Sequence, residues 1–173
     1  MSDETFSYKS EIFLLEKLKL NYVEVPYEIL VQTKSETDKT IYNQRFIIKV
    51  NDSEEWQAGV VSLGNKKGYI TVKTAILKKN HLRLGDEVSV TLEKDDSEFG
   101  MIVSEELQEV LNQDFEGKQR FDLLPLGKKR YIIYYVNQVK SSDKRIERAV
   151  MLITNLKKTA IGKEEFRILL GKE

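Results

Sequence analysis

A chain of 173 residues, 40% hydrophobic and 32% charged, is long enough to bury a core without staples, as one ordinary domain or a small domain with an appendage. Its 28 Lys and Arg balance 28 Asp and Glu, so no global field draws it to nucleic acid or a membrane, and any such attraction must be local. Without cysteine, disulfides, thiolate nucleophiles and cysteine-held metals are excluded. The polar start MSDETFSYKS lacks the apolar stretch of a signal peptide, and no run approaches the ~18 apolar residues of a membrane span. The expectation is a soluble, cytoplasmic protein.

Residues 1–8 read as a frayed end. Ile12–Leu18 is a weak strand and Tyr22–Val25 a better one. Pro26 closes it and opens a short helical turn over Tyr27–Val31. Residues 32–43 form a polar loop or hairpin arm, expected to be mobile. Arg45–Val50 is a buried-type strand, and Trp56–Leu63 is the next. Gly64–Gly68 is a hairpin loop bracketed by glycines. Tyr69–Lys73 is a strand, and Thr74 is placed to cap a short helix over Ala75–Asn80. After the Gly85-Asp86 turn, Val88, Val90 and Leu92 alternate with Ser89, Thr91 and Glu93, the period-2 mark of a half-buried strand.

A last short strand is expected at Phe99–Val103. Ser104 then caps a helix with Leu107, Val110 and Leu111 on its apolar stripe. Residues 114–126 read as irregular, with Gly117 stopping that helix and Pro125 preceding the next. Lys128–Lys140 is helical, with Ile132, Val136 and Val139 on one face beside Tyr135. Ser141-Ser142-Asp143 re-caps the chain for a helix over Lys144–Lys158, with Ile146, Ala149, Val150, Ile153 and Leu156 inward. Phe166, Ile168, Leu169 and Leu170 are too apolar for a free end and should dock on the body or on a partner.

An internal echo sets the expected fold. Tyr22–Leu30 lines up with Tyr69–Leu77 at a constant offset of 47, four of nine positions being identical. Each copy reads strand, then short helix, and leads to another strong strand. Two such halves related by a pseudo-twofold interleave into a small closed barrel, which leaves no open edge. The expectation is therefore α+β: a closed, double-psi-like barrel over residues 9–103, a helical segment over 104–160, and a tail over 161–173.

The order of a small barrel, a G-D-x-V turn, an acidic pair and a helical tail resembles a bacterial family. That family joins the domain of unknown function 1905 to a YdeI/OmpD-associated, or bacteriocin-protection, tail. The barrel part of the resemblance rests on Tyr22-Val23-Glu24-Val25-Pro26, Gly59 to Gly68, and Leu84-Gly85-Asp86-Glu87-Val88 with Asp95-Asp96. The tail part is the run Tyr135–Arg148, set against the family's W-I-x-x-A-K and P-E-T-R-x-R-R pattern. Lys140, Arg145 and Arg148 fall on its basic positions. Tyr135 replaces a tryptophan, Val139 an alanine, Lys144 a threonine and Glu147 an arginine. The resemblance spans roughly residues 9–158. It implies a fold and a loose link to stress or antimicrobial-peptide tolerance, and no reaction.

Candidate chemistry is sparse. His81, the only histidine, could be a general base, but no nucleophile pattern accompanies it, and its place after Asn80 suits a structural or exposed residue that tolerates a left-handed backbone. Asp95-Asp96 with Glu93 and Glu98 could hold a hard cation, or form a solvated turn. Asp86 should accept backbone N–H bonds in its turn. Gly64–Gly68 could cradle a phosphate only if a helix followed, and a strand follows instead.

The helical tail is richer. From Lys118 to Lys158 eleven Lys and Arg face three Asp and Glu, a local excess of eight positive charges. Such a face suits phosphate backbones or acidic surfaces, or else docks on the acidic remainder of its own chain or a second copy. Tyr131, Tyr134 and Tyr135 beside Lys128-Lys129-Arg130 could stack on bases, or belong to the core. The candidate binding residues are Tyr135, Lys140, Arg145, Arg148, Lys128, Lys129 and Arg130. The leading reading is a non-enzymatic binding module with a protein or peptide partner. A nucleic-acid binder and an enzyme of unrecognised type are the alternatives. No catalytic residue, metal site or cofactor is expected, and a homodimer is plausible.

Overall fold

The computed structural model describes residues 4–172. The chain divides into two compact units, one ending at Gly100 and one beginning at Met101. The first is strand-rich: β1 (Thr5–Glu11), β2 (Phe13–Leu15), β3 (Leu20–Val25), α1 (Tyr27–Thr33), β4 (Arg45–Val50), β5 (Trp56–Gly59), β6 (Val61–Gly64), β7 (Lys67–Val72), α2 (Thr74–Lys79) and β8 (Glu87–Lys94).

These strands do not form the expected closed barrel. They make two four-stranded antiparallel sheets, ordered β1-β8-β4-β5 and β2-β3-β7-β6. The physical reason lies at two buried corner residues, Ile12 and Val60, where the chain leaves one sheet and enters the other. The Ile12 N–H donates to the Asp86 carbonyl and the Ile12 carbonyl accepts from Gly85; the Val60 N–H donates to the Gln44 carbonyl. The corner bonds thus go to loop residues and not to a neighbouring strand, and the ladder breaks. Sheets that exchange strands through bends can still enclose one core. Val23, Val25, Ile70 and Val72 from one sheet and Phe46, Ile48, Val88, Val90 and Leu92 from the other fill it, with Leu30 and Leu77 added by the helices.

The β-β-β-α-β order runs twice along this unit. The two copies of the echo fold alike, and Val23 and Ile70, equivalent within it, pair directly across β3 and β7. The alternation expected after Gly85 holds: Val88, Val90 and Leu92 are buried, and Ser89 is exposed. Other expectations need correction. Strand β1 starts at Thr5, where a frayed end was expected; residues 1–3 lie outside the described residues. Trp56–Leu63 is two strands split at Val60. The hairpin loop tightens to Asn65-Lys66, both at positive φ, with Gly64 opposite Lys67. Thr74 is the first residue of α2, and Lys73 stands before it without a side-chain cap. The polar loop after α1 is pinned at its base, where the half-buried Lys94 ammonium bonds Asp38 at 2.6 Å, Gln44 at 2.7 Å and the Thr33 carbonyl at 3.0 Å. No strand forms at Phe99–Val103. Asp95 instead turns the chain by accepting from the Ser97 N–H and hydroxyl, and Arg45 Nε holds the Gly100 carbonyl.

The second unit holds α3 (Glu105–Gln113), α4 (Phe115–Asp122), α5 (Leu126–Asn137), α6 (Ser142–Lys158) and α7 (Phe166–Leu169). Helix α6 is the central member, packing against α3, α4, α5 and α7. Ser104 and Ser141 cap α3 and α6 as expected, and Pro125 precedes α5. The segment expected to be irregular contains α4. Gly117 does not end a helix: it sits in the first turn of α4, where a Cβ would come within 2.3 Å of Ile153 Cγ2. Ala149, Ile153 and Leu156 point inward together with Leu152, whereas Ile146 and Val150 are exposed. The apolar tail docks on its own unit. Leu169 is fully buried, its carbonyl accepts from Asn155 Nδ2 at 2.9 Å, and the Phe166 ring lies 3.7 Å from that of Tyr131.

Candidate functional site

The expected basic cluster resolves into two places at opposite ends of α5. At 1.5 Å per residue Tyr135 stands only about 8–11 Å along α5 from Lys128, Lys129 and Arg130, whereas Lys140 lies past the far end of the helix.

At the α5–α6 corner, Tyr135, Lys140, Arg145 and Arg148 do come together. A helix leaves its last four carbonyls without intrahelical partners. Here α6 supplies a donor, Arg148 Nη1 bonding the Tyr135 carbonyl at 2.6 Å, while Arg145 Nε bonds the Val139 carbonyl just past the helix end at 2.9 Å. The Arg148 guanidinium also stacks 4.1 Å from the Tyr135 ring centroid, a contact worth roughly 0.5–2 kcal/mol. Arg145 reaches Glu106 on α3 at 3.6 Å. The Glu106 carboxyl is held below the usual range by its own backbone N–H, the Ser142 hydroxyl and Arg145. Both arginines therefore clamp the helical hairpin. Lys140 is exposed and in no ion pair among the described residues.

At the other end, Lys128 sits 3.8 Å from the buried Glu164, which also meets Arg120 at 3.3 Å. Burial pushes the Glu164 carboxyl up, but its own N–H, the Gly162 N–H, Arg120 and Lys128 outweigh that and hold it below the usual range. Lys129 lies over the Phe121 ring at 6.0 Å. Arg130 is half-buried and also partnered. Tyr131 stacks on Phe166 and lies 6.2 Å from Tyr135, so two of the three tyrosines belong to an aromatic row; Tyr134 is exposed. Lys157 bonds Asp114 at 2.5 Å, and Lys118 bonds Asp122. The whole unit carries fourteen Lys and Arg against eleven Asp and Glu, so the excess of eight in the 118–158 window falls to three once flanking acids are counted.

The strand unit holds a site that sequence reasoning missed. A groove of about 620 Å³ runs between β1, the end of β3 with the start of α1, and the β6–β7 hairpin tip. Tyr8, Phe13 and Tyr27 supply rings; Lys9, Lys66 and Lys67 supply positive charge; Glu11, Glu24 and Glu28 supply negative. Lys67 meets Glu24 at 3.5 Å, Lys9 meets Glu87 at 3.1 Å, and the Lys66 ammonium lies 5.3 Å over the Tyr27 ring. Tyr8 Oη donates to the Glu24 carbonyl at 2.7 Å; burial, with Glu24 nearby, pushes its hydroxyl far above the ordinary value. The signal lay in T-F-S-Y-K-S-E, where Phe6 and Tyr8 alternate with polar residues as a strand requires.

The remaining candidates have plain surroundings. His81 is exposed at φ 54°, ending α2. Asp86 accepts the Arg83 N–H at 2.8 Å, as a turn residue does. Asp95 is taken by Ser97 and Gln57, and no group of three or more potential metal-binding side chains gathers among the described residues.

Residues 100–159, from the approach to α3 through the end of α6, match the family model described as Bacteriocin-protection, YdeI or OmpD-Associated. No curated protein matches the chain. No helix among the described residues is long and apolar enough to cross a membrane.

Proposed function

We propose that this protein is a non-enzymatic, cytoplasmic binding module that takes a protein or peptide partner in the groove of its strand unit. The observation that carries the reading is the lining of that groove, where three aromatic rings and both signs of charge converge around an open space of about 620 Å³. Large amphipathic rings give contact area at low entropic cost, and flanking charges fix orientation. The family match over residues 100–159 supports a stress-linked or bacteriocin-linked setting. The motifs Tyr22–Pro26 and Leu84–Val88 support a kinship of the strand unit with the domain of unknown function 1905.

Nucleic acid is the second reading. Lys140, Lys144 and Lys158 are exposed and in no ion pair among the described residues, the first two near the start of α6 and the third at its end. One set of titrations separates the two. Fluorescence polarisation with an array of labelled, capped heptapeptides and with single- and double-stranded DNA is run at low and physiological salt. The expected result is peptide binding that survives physiological salt and weakens about ten-fold in Tyr27→Ala. Binding confined to DNA, falling steeply with salt and lost in a Lys140→Glu/Lys144→Glu variant, would transfer the function to the helices.

A further inference from the structure

The groove has one wall made of sheet edge. Strand β1 ends its sheet: all seven of its residues register with β8, and among the described residues no strand lies along its other side. That side carries every second backbone N–H and C=O of β1, groups that seek partners. Where β3 comes nearest, side chains of β1 do the bridging. Tyr8 Oη donates to the Glu24 carbonyl, and Ser10 Oγ accepts from the Glu24 N–H at 3.3 Å. Beyond that point the groove leaves the edge open.

The second repeat provides an internal comparison. Counting back from the corners Ile12 and Val60, Tyr8 and Trp56 hold equivalent places, each four residues before its corner. The hollow beside Trp56 is about 250 Å³, and the Lys79–Glu54 ion pair lies along its lining. The hollow beside Tyr8 is more than twice as large. Three lysines and three glutamates line it. Lys9 and Lys67 are paired, Lys66 is in no ion pair among the described residues and lies over the Tyr27 ring, and Glu11 and Glu28 are exposed and in no ion pair among the described residues. The unpaired carboxylates at this edge thus outnumber the unpaired ammonium two to one.

We propose that an extended peptide segment carrying Lys or Arg beside an aromatic or aliphatic residue adds to β1 as a further strand. Main-chain bonds along β1 supply the affinity, Tyr27 and Phe13 receive the apolar side chain, and Glu28 and Glu11 receive the basic one. A partner as long as β1 spans about 23 Å at 3.3 Å per residue. This inference rests on the peptide-binding reading and adds its geometry and charge preference.

The test uses the full chain and an array of capped heptapeptides with Lys, Glu or Phe at alternate positions. The tightest binder is remade seven times, each with one N-methyl group. Strand addition predicts a period-two pattern, with losses of about ten-fold or more at every second position and little change between. Slowed amide exchange in Thr5–Glu11 on binding should accompany it. Lys-bearing peptides should bind better than Glu-bearing ones, and Glu28→Lys, its fold checked by its melting temperature, should reverse that order. A flat N-methyl profile would overturn strand addition while leaving a peptide site in place. A preference for Glu-bearing peptides in the wild type would overturn the charge assignment. Absence of binding by every member of the array would remove both this inference and the reading beneath it.

Discussion

Gly117 decides how closely α4 and α6 can pack. An added methyl would lie 2.3 Å from Ile153 Cγ2 and 2.9 Å from the Asp114 carboxyl carbon, and the latter side chain is already fixed by the Gly117 N–H and Lys157. Neither neighbour is a flexible tip that can swing aside. Gly117→Ala should therefore destabilise the protein by about 1–3 kcal/mol despite the better helix propensity of alanine. Urea denaturation followed by far-UV circular dichroism measures this, and an unchanged midpoint would show that the helices move apart without cost. Arg145 and Arg148 teach a related lesson. Their positions match a basic motif, yet each guanidinium is engaged with a carbonyl at or just past the end of α5. A fork of fixed donors suits that task where a lysine would not.

At the level of elements, the helices are tied to one another by carboxylates. Glu106 links α3 to α6 through Ser142 and Arg145, Asp114 links the start of α4 to Lys157, and Glu164 ties the turn after α6 to Arg120 and Lys128. Hydrogen bonds from Lys157 and the Gly117 N–H hold the Asp114 carboxyl low, as the partners of the other two hold theirs. A carboxyl whose folded value lies below its unfolded one adds stability that is complete above the unfolded value. That stability is lost as pH falls through the folded value. Urea midpoints should accordingly drop below about pH 4.5. Glu164→Gln should be less stable than wild type at pH 7 and show a shallower acid decline; an identical decline in both proteins would remove Glu164 from this role.

Legibility at this scale followed the strength of the local signal. Strand β8 and the Ser104 and Ser141 caps were plain because alternation and capping act between near neighbours. Strand β1 was hidden because only Phe6 and Tyr8 mark its alternation, against the run of Val88, Val90 and Leu92 in its partner β8. Helix α4 was masked by Gly117, whose reason for being glycine is a contact with Ile153, invisible without the fold. The groove went unread for the same cause, since its walls come from three separated stretches.

In the whole molecule, two units each carry a core. The strand unit buries Phe46, Ile48, Ile70 and Leu92 among others, and the helical unit buries Leu107, Ile132, Leu152, Ile153 and Leu156. Each is large enough to fold alone in principle, though small units are marginal. Residues 1–100 and 101–173 expressed separately should each melt cooperatively, the first with a β-type and the second with a helical far-UV spectrum. A helical fragment without a cooperative transition would show that its stability depends on the rest of the chain. The two differ mildly in charge: the helical unit carries an excess of three positive charges, and the strand unit, in a neutral chain, an equal negative excess.

The pairing of β1 with β8 also governs how the protein can be born. Thr5 registers with Glu93, eighty-eight positions later, so the earliest strand of this unit has no partner until nearly all of the unit has been made. Closing so long a span is entropically slow, and such topologies fold later than helical ones. During synthesis β1 therefore stays unsatisfied for that interval, open to chaperones and to neighbouring chains. In the helical unit α3 and α4 wait only for α6, a much shorter span. Moving β1 behind β8 by circular permutation would bring the two partners out together.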